Sequence, residues 1–162
     1  MIAIWVDGDS CPVPVRELLV RTARRRAIPL RFCANRPLPL PSFPDAAAPD
    51  AAPDTVPDVV EMHHVMDGTV DEYILARAAP DSLVVTRDIP LAEKLVERGI
   101  PVMNDRGRLF DADSVRELRS LRDAAAAIRL QGLESMRTAV TYGKRELKAF
   151  ADTLDRFLAR SR

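Results

Sequence analysis

The sequence predicts an α/β protein: a three-layer α/β/α domain with a mostly parallel sheet of about five strands. Three observations lead there. Short apolar runs alternate with helical patterns of ten or so residues, the rhythm of βαβ units. The opening run, residues 2–6, is apolar throughout, as in a strand covered on both faces. No pattern repeats at a period of about 20 to 50 residues, which excludes a solenoid. A chain of 162 residues suits one well-buried domain, so residues 1–162 are read as a single unit.

The first strand runs directly into Asp7, Gly8 and Asp9. Pro12 and Pro14 then fit the first turn of a helix, where a missing N–H costs nothing. Val15, Leu18, Leu19, Thr22 and Ala23 share one face of it, Arg24, Arg25 and Arg26 favour the dipole at its end, and Pro29 closes it. Residues 30–34 form the second strand, closed by Asn35. Residues 37–57 hold seven of the 13 prolines around DAAAPDAAPD, a low-complexity insertion expected to carry no ordered function.

Residues 59–65 form the third strand. Val70, Ile74, Leu75 and Ala78 mark a helix that Asp71 and Glu72 open and Pro80 closes. Residues 82–86 are the fourth strand, followed by a helix over about 90–98 with Leu91, Leu95 and Val96 inward and Gly99 as its cap. Residues 100–103 are a short fifth strand leading into the turn NDRG at 104–107. Asp111 or Asp113 caps a further helix with Val115, Leu118, Leu121 and Ile128 on one side. Residues 132–143 are irregular. The last helix, 144–159, carries the stripe Leu147, Phe150, Ala151, Leu154, Phe157 and Leu158.

No apolar run approaches the roughly 20 residues of a membrane helix, so no membrane partner is expected. The start MIAIWVDGDS lacks the basic region and cleavage site of a signal peptide, and two cysteines, Cys11 and Cys33, imply no disulfide framework; a cytoplasmic protein is expected. Net charge is zero, but its distribution is uneven: residues 45–72 carry eight acids and no Lys or Arg, and residues 103–162 carry 13 Lys and Arg against nine Asp and Glu. That suits a metal site beside a phosphate-binding surface, and equally a solvated surface.

Asp7, Asp9, Asp71 and Asp88 form the chemical constellation. In a parallel sheet, acids at strand ends and at the start of the following helix meet at the carboxyl edge, where open α/β sheets place their ligands. Desolvated carboxylates gathered there repel one another, and a hard cation with oxygen ligands neutralises them. Mg²⁺ or Mn²⁺ held by carboxylates and water can activate a water and stabilise charge on a phosphodiester. Taken singly, each acid also reads as a helix cap.

In order and spacing, VDGDSCP, VDEYI, VVTRDIPLAEKLVERG, NDRG and LRD together resemble the uncharacterised bacterial YaiI/YqxD-like family. The resemblance covers nearly the whole chain apart from the insertion, and the first and third motifs are the specific ones. That family is grouped with PIN-like and NYN ribonuclease domains. The resemblance implies a metal-binding acidic cluster with Asp7, Asp71 and Asp88 as catalytic acids, Asp9 as an accessory acid, and activity on RNA or another nucleic acid. A fourth PIN-type acid has no clean counterpart, with Asp105 nearest; the family's Asp-Arg pair near the end reads Glu146-Leu147.

Ser10, Asn35, Thr86, Arg87 and Arg106 are candidate substrate contacts, because hydroxyls and Arg forks suit phosphate oxygens; cap, turn and solvated-surface readings stand beside them. Cys11 reads as a packing residue, and the adjacent His63 and His64 point to opposite faces of a strand and cannot chelate jointly. The arginines at 24–26, 116, 119, 122 and 129 are the candidate nucleic-acid surface, without interleaved aromatics. Three functions follow. The first is a metal-dependent phosphodiesterase, a ribonuclease. The second is a non-catalytic metal, nucleotide or RNA-binding module. The third is a phosphatase similar to haloacid dehalogenases, with Asp7 as nucleophile and Asp9 as acid, although the usual Thr or Val is missing at Cys11 and no cap domain fits.

Overall fold

Strand β1, Ala3–Asp7, is hydrogen-bonded on one side to β2, Leu30–Ala34, and on the other to β4, Ser82–Val85. Strand β3, Val60–His64, lies outside β2, and β5, Val102–Met103, outside β4. The order is β3-β2-β1-β4-β5 and every pairing is parallel. The computed structural model describes residues 2–39, 59–130 and 142–161; most of the Pro/Ala/Asp insertion, the 131–141 connection, and the side chains of Ile128 and Arg129 lie outside the described residues.

A strand with partners on both sides and helices on both faces has nowhere to place a polar side chain, which accounts for the unbroken apolar opening run. Successive residues alternate between two cores. Ile4, Val6, Leu30, Phe32, Leu83 and Val85 pack against Leu19 and Ala23 of α1, Val13–Arg26, and Phe150 and Leu154 of α5, Lys144–Arg160. Trp5, Cys33, Val84 and Val102 face the other layer. There they meet Ile74 of α2 (Val70–Arg77), Leu91 and Leu95 of α3 (Ile89–Glu97), and Val115 of α4 (Ala112–Leu130). The three layers expected from the sequence are present. No helix among the described residues is long and apolar enough to cross a membrane.

Several local expectations change. Asp7 ends β1 as expected, whereas β4 stops at Val85, one residue short, and Asp88 caps α3. Helix α1 stops at Arg26 because Ala27 turns left-handed at φ 53°, two residues before Pro29. Thr69, and not Asp71, caps α2: its Oγ1 accepts the Glu72 N–H at 3.1 Å while Glu72 Oε2 accepts the Thr69 N–H at 3.2 Å. Asp111 caps α4, accepting the Ser114 N–H at 2.7 Å. Leu121, expected inward, is 59% exposed, because α4 packs on the core only through its first turns, at Val115 and Leu118.

The turn after β5 holds the sheet edge against α5. Gly107 has φ +79°, and a Cβ there would collide with the backbone of Ala149 and stand 2.8 Å from the Phe150 nitrogen. Neither neighbour can yield, since both belong to helix backbone. Gly107→Ala is therefore expected to destabilise the fold by about 1–3 kcal/mol from backbone conformation alone, with steric overlap adding to it. A urea midpoint unchanged from the parent chain would contradict this packing.

Candidate functional site

The chain runs outward from β1 through β2 to β3, then returns to the opposite side of β1 to begin β4. The carboxyl ends of β1 and β4 thus form the topological switch point, where helix connections leave in opposite directions, the place at which open α/β sheets bind their ligands. Asp7 ends β1 at this point, and Thr86 and Asp88 follow β4.

One hydrogen-bonded relay joins them. Thr86, 2% exposed, donates its hydroxyl to Asp7 Oδ2 at 3.1 Å and accepts the Asp88 N–H at 3.0 Å. Ser10, in the short 3₁₀ turn Gly8–Ser10, donates to the same Asp7 oxygen at 3.0 Å. Both hydroxyls converge on Oδ2, and no protein donor engages Oδ1 among the described residues. Asp88 spends Oδ1 as the cap of α3, accepting the Leu91 N–H at 2.9 Å.

Asp71 behaves differently. It lies in the first turn of α2, where Thr69 and Glu72 satisfy the cap, and its carboxylate makes no hydrogen bond or ion pair among the described residues. Burial raises its pKa above the ordinary carboxylate range, and the charges of Asp88 and Asp7 raise it further. Asp7 is likewise raised, chiefly by burial, with Asp9 and Asp88 adding to the rise and the Ser10 and Thr86 bonds opposing it. Acids from three separate stretches of chain thus act on one another electrostatically at the switch point. Among the described residues, however, no three carboxylate, imidazole or thiolate groups stand close enough to hold a metal ion.

The remaining candidates divide. Asp9 accepts the Asn35 N–H at 3.0 Å, with Arg36 Nε at 3.7 Å from its other oxygen. The Asn35 side chain donates to the Val65 carbonyl at 3.3 Å, so Asn35 ties the ends of β1, β2 and β3 together. Arg87, 47% exposed, stands 2.9 Å from Asp105. The Arg106 N–H donates to Asn104 Oδ1 at 3.0 Å and braces the turn. Cys11 is buried and its thiol is pushed up to about 12, mainly by that burial, which removes it as a nucleophile. His63 and His64 alternate as expected: His63 Nδ1 meets the Tyr73 hydroxyl at 2.6 Å, whereas His64 Nε2 bonds the Asn35 carbonyl at 3.0 Å.

Sequence reasoning did not foresee the order of strands, and hence the switch point. The pairing of Arg87 with Asp105 was also missed, although each follows a strand and the two strands, β4 and β5, turn out to be neighbours.

The family described as "Uncharacterized BCR, YaiI/YqxD family" matches residues 5–160, and the chain belongs to it. It is 40% identical over 159 residues to the UPF0178 protein of Treponema pallidum, covering 98% of this chain and 82% of that one. The UPF0178 protein of Syntrophobacter fumaroxidans is 38% identical, over 94% and 92% of the two chains, and that of Psychromonas ingrahamii 36%, over 99% and 98%. No solved structure matches the chain.

The raised pKa of Asp7 has a consequence for stability. An acid that binds its proton more tightly folded than unfolded contributes stability below its ordinary value of about 4, and loses it as pH climbs through the raised value. Asp7→Asn, which cannot ionise, should melt higher than the parent chain at neutral pH, by a margin that shrinks toward about pH 4. Thermal melts across that range check this; a margin that grows as pH falls would contradict it.

Proposed function

We propose that this YaiI/YqxD-family chain is a metal-dependent phosphodiesterase, a ribonuclease that uses Asp7, Asp9, Asp71 and Asp88 to hold Mg²⁺ or Mn²⁺. The observation that carries the reading is Asp71: partly buried, without a hydrogen bond or ion pair among the described residues, and set against the charges of Asp88 and Asp7. Burial and those charges penalise its ionised form, with Lys94 opposing them, an arrangement common at functional sites.

The donor chemistry fits a hard cation, with carboxylate oxygens supplemented by the hydroxyls of Ser10 and Thr86. Among the described residues no three acids enclose an ion unaided, so water would have to complete the shell of a bound Mg²⁺, in keeping with its reluctance to dehydrate. When bound, such a metal lowers the pKa of water and stabilises charge on a phosphoryl oxygen. Thr86 and Ser10 fix the Asp7 carboxylate, pinning Oδ2 and presenting Oδ1. Asp88, held at Oδ1 by its cap bond, presents Oδ2. Asp71, with its raised pKa, is the group suited to take the proton from an attacking water. Arg87 and Arg106 supply positive charge for the phosphate.

The choice of RNA rests on the grouping of the YaiI/YqxD-like family with PIN-like and NYN ribonuclease domains, an analogy of fold, and one fold hosts many chemistries. The phosphatase alternative is disfavoured by Asp9, whose carboxylate is already engaged by the Asn35 N–H, with Arg36 Nε 3.7 Å from its other oxygen, instead of standing free beside Asp7 to serve a leaving group.

Cleavage of a labelled single-stranded RNA by the purified chain with Mg²⁺ or Mn²⁺ tests the reading. Chelator should abolish turnover, and Asp7→Asn or Asp71→Asn should lower it at least about a hundredfold, the scale of metal-site disruption. Turnover that survives both changes would overturn it. Tight binding of RNA or nucleotides without turnover would select the non-catalytic module, and a fluoroberyllate adduct on Asp7 the phosphatase.

A further inference from the structure

Arg87 and Asp105 follow neighbouring strands, β4 and β5, at the carboxyl edge, and Arg87 Nε lies 2.9 Å from Asp105 Oδ2. The partners are unequally placed. The Asp105 side chain is 4% exposed and that of Arg87 47%. The pair is one of distance and charge: no N–H is directed at Oδ2 closely enough to count as a hydrogen bond. Arg87 has no other ion pair or hydrogen bond among the described residues.

As a device for stability this is poor design. Burying a carboxylate is costly, and a half-exposed arginine returns little of that cost. The turn bearing Asp105 is nonetheless braced. The Tyr142 hydroxyl donates to the Asp105 carbonyl at 2.7 Å, Asn104 Oδ1 accepts the Arg106 and Arg108 N–H groups, and Gly107 seats against α5. The charges that act most on Asp105 are those of Arg87 and Arg106, whereas Asp7, Asp71 and Asp88 act on one another. Asp105 therefore belongs to the arginines and not to the acid cluster. Arg87 itself is bounded in sequence by Thr86 and Asp88, the two residues that carry the relay from Asp7.

We propose that Asp105 is a positioning residue whose buried charge, 2.9 Å from Nε, holds the Arg87 guanidinium beside the acid cluster, so that its outer amino groups donate to a phosphoryl oxygen of the substrate. This rests on the phosphodiesterase reading for the identity of the substrate. A guanidinium carries five donors, so a carboxylate charge placed against Nε leaves the outer amino groups to a second anion. An arginine otherwise loses much side-chain freedom on binding; a buried carboxylate reduces that loss beforehand.

Calorimetric titration of inorganic phosphate into the metal-free chain tests the assignment. Arg87→Ala should weaken phosphate binding by about tenfold or more, the loss of a charge-assisted hydrogen bond. Asp105→Asn should weaken it comparably, and the double variant should bind no worse than Arg87→Ala alone. Asp105→Glu should recover part of the affinity, and it replaces the Asn variant in the same double-variant comparison if that one does not fold. Phosphate affinity indifferent to Arg87→Ala would overturn the proposal. So would an Asp105→Asn loss that is just as large in the Arg87→Ala background. Phosphate binding is read without turnover, so a chain that never cleaves RNA leaves this result standing. A chain that cleaves through Asp7 but binds phosphate regardless of Arg87 refutes the positioning role alone.

Discussion

Like charges do not gather at a partly desolvated sheet edge without a structural cause, and here the cause is the path of the chain. Strand β1 ends in Asp7, whose carboxylate is buried where strands on its two sides belong to chain excursions in opposite directions. The Thr86 hydroxyl bridges Asp7 to the Asp88 backbone. This single side chain fixes the end of β4 to the end of β1 and keeps two acids, 81 positions apart in sequence, at one edge. Two hydroxyl donors lessen the penalty on an ionised Asp7 without removing it, since burial outweighs them.

The rest of the molecule serves to hold that edge still. Two apolar cores grip the sheet from both faces, and the alternation of side chains along β1 divides its residues between them. Polar ties brace the loops above: Asn35 links Asp9 to Val65, Asp88 starts α3, and Tyr142 braces the turn after β5. At the sheet's edge, Arg31 of β2 and His63 of β3 both reach Glu61 on β3, and His63 meets the edge of Trp5.

Much of the fold was legible because its signals are local. The unbroken apolar run of β1, the stripe along α5 and the proline-rich insertion depend only on neighbouring residues. Local signals also misled. Leu121 continues the spacing of Val115 and Leu118, yet periodicity says nothing about where the core beneath a helix ends. Asp71 read as the acid that opens its helix, yet the cap is Thr69 two residues earlier, a distinction made by backbone geometry and not by residue type. Asn35 stood as a substrate contact from its place at a strand end, while its side chain in the fold is committed to the Val65 carbonyl.

By itself the sequence determined the class of fold, the number of strands, and which acids stand at the ends of strands or the starts of helices, since each of these follows from runs of a few residues. The family likeness carried by VDGDSCP and VVTRDIPLAEKLVERG is of the same kind, written in contiguous residues. Only the tertiary structure decided that β4 lies against β1 and β5 against β4. That placement makes Asp7, Asp71 and Asp88 repel one another and gives Asp105 to Arg87. The reason is physical: electrostatic coupling depends on distance through space, and strand order is set by how two cores close around the sheet, a property of the whole chain that no short stretch contains.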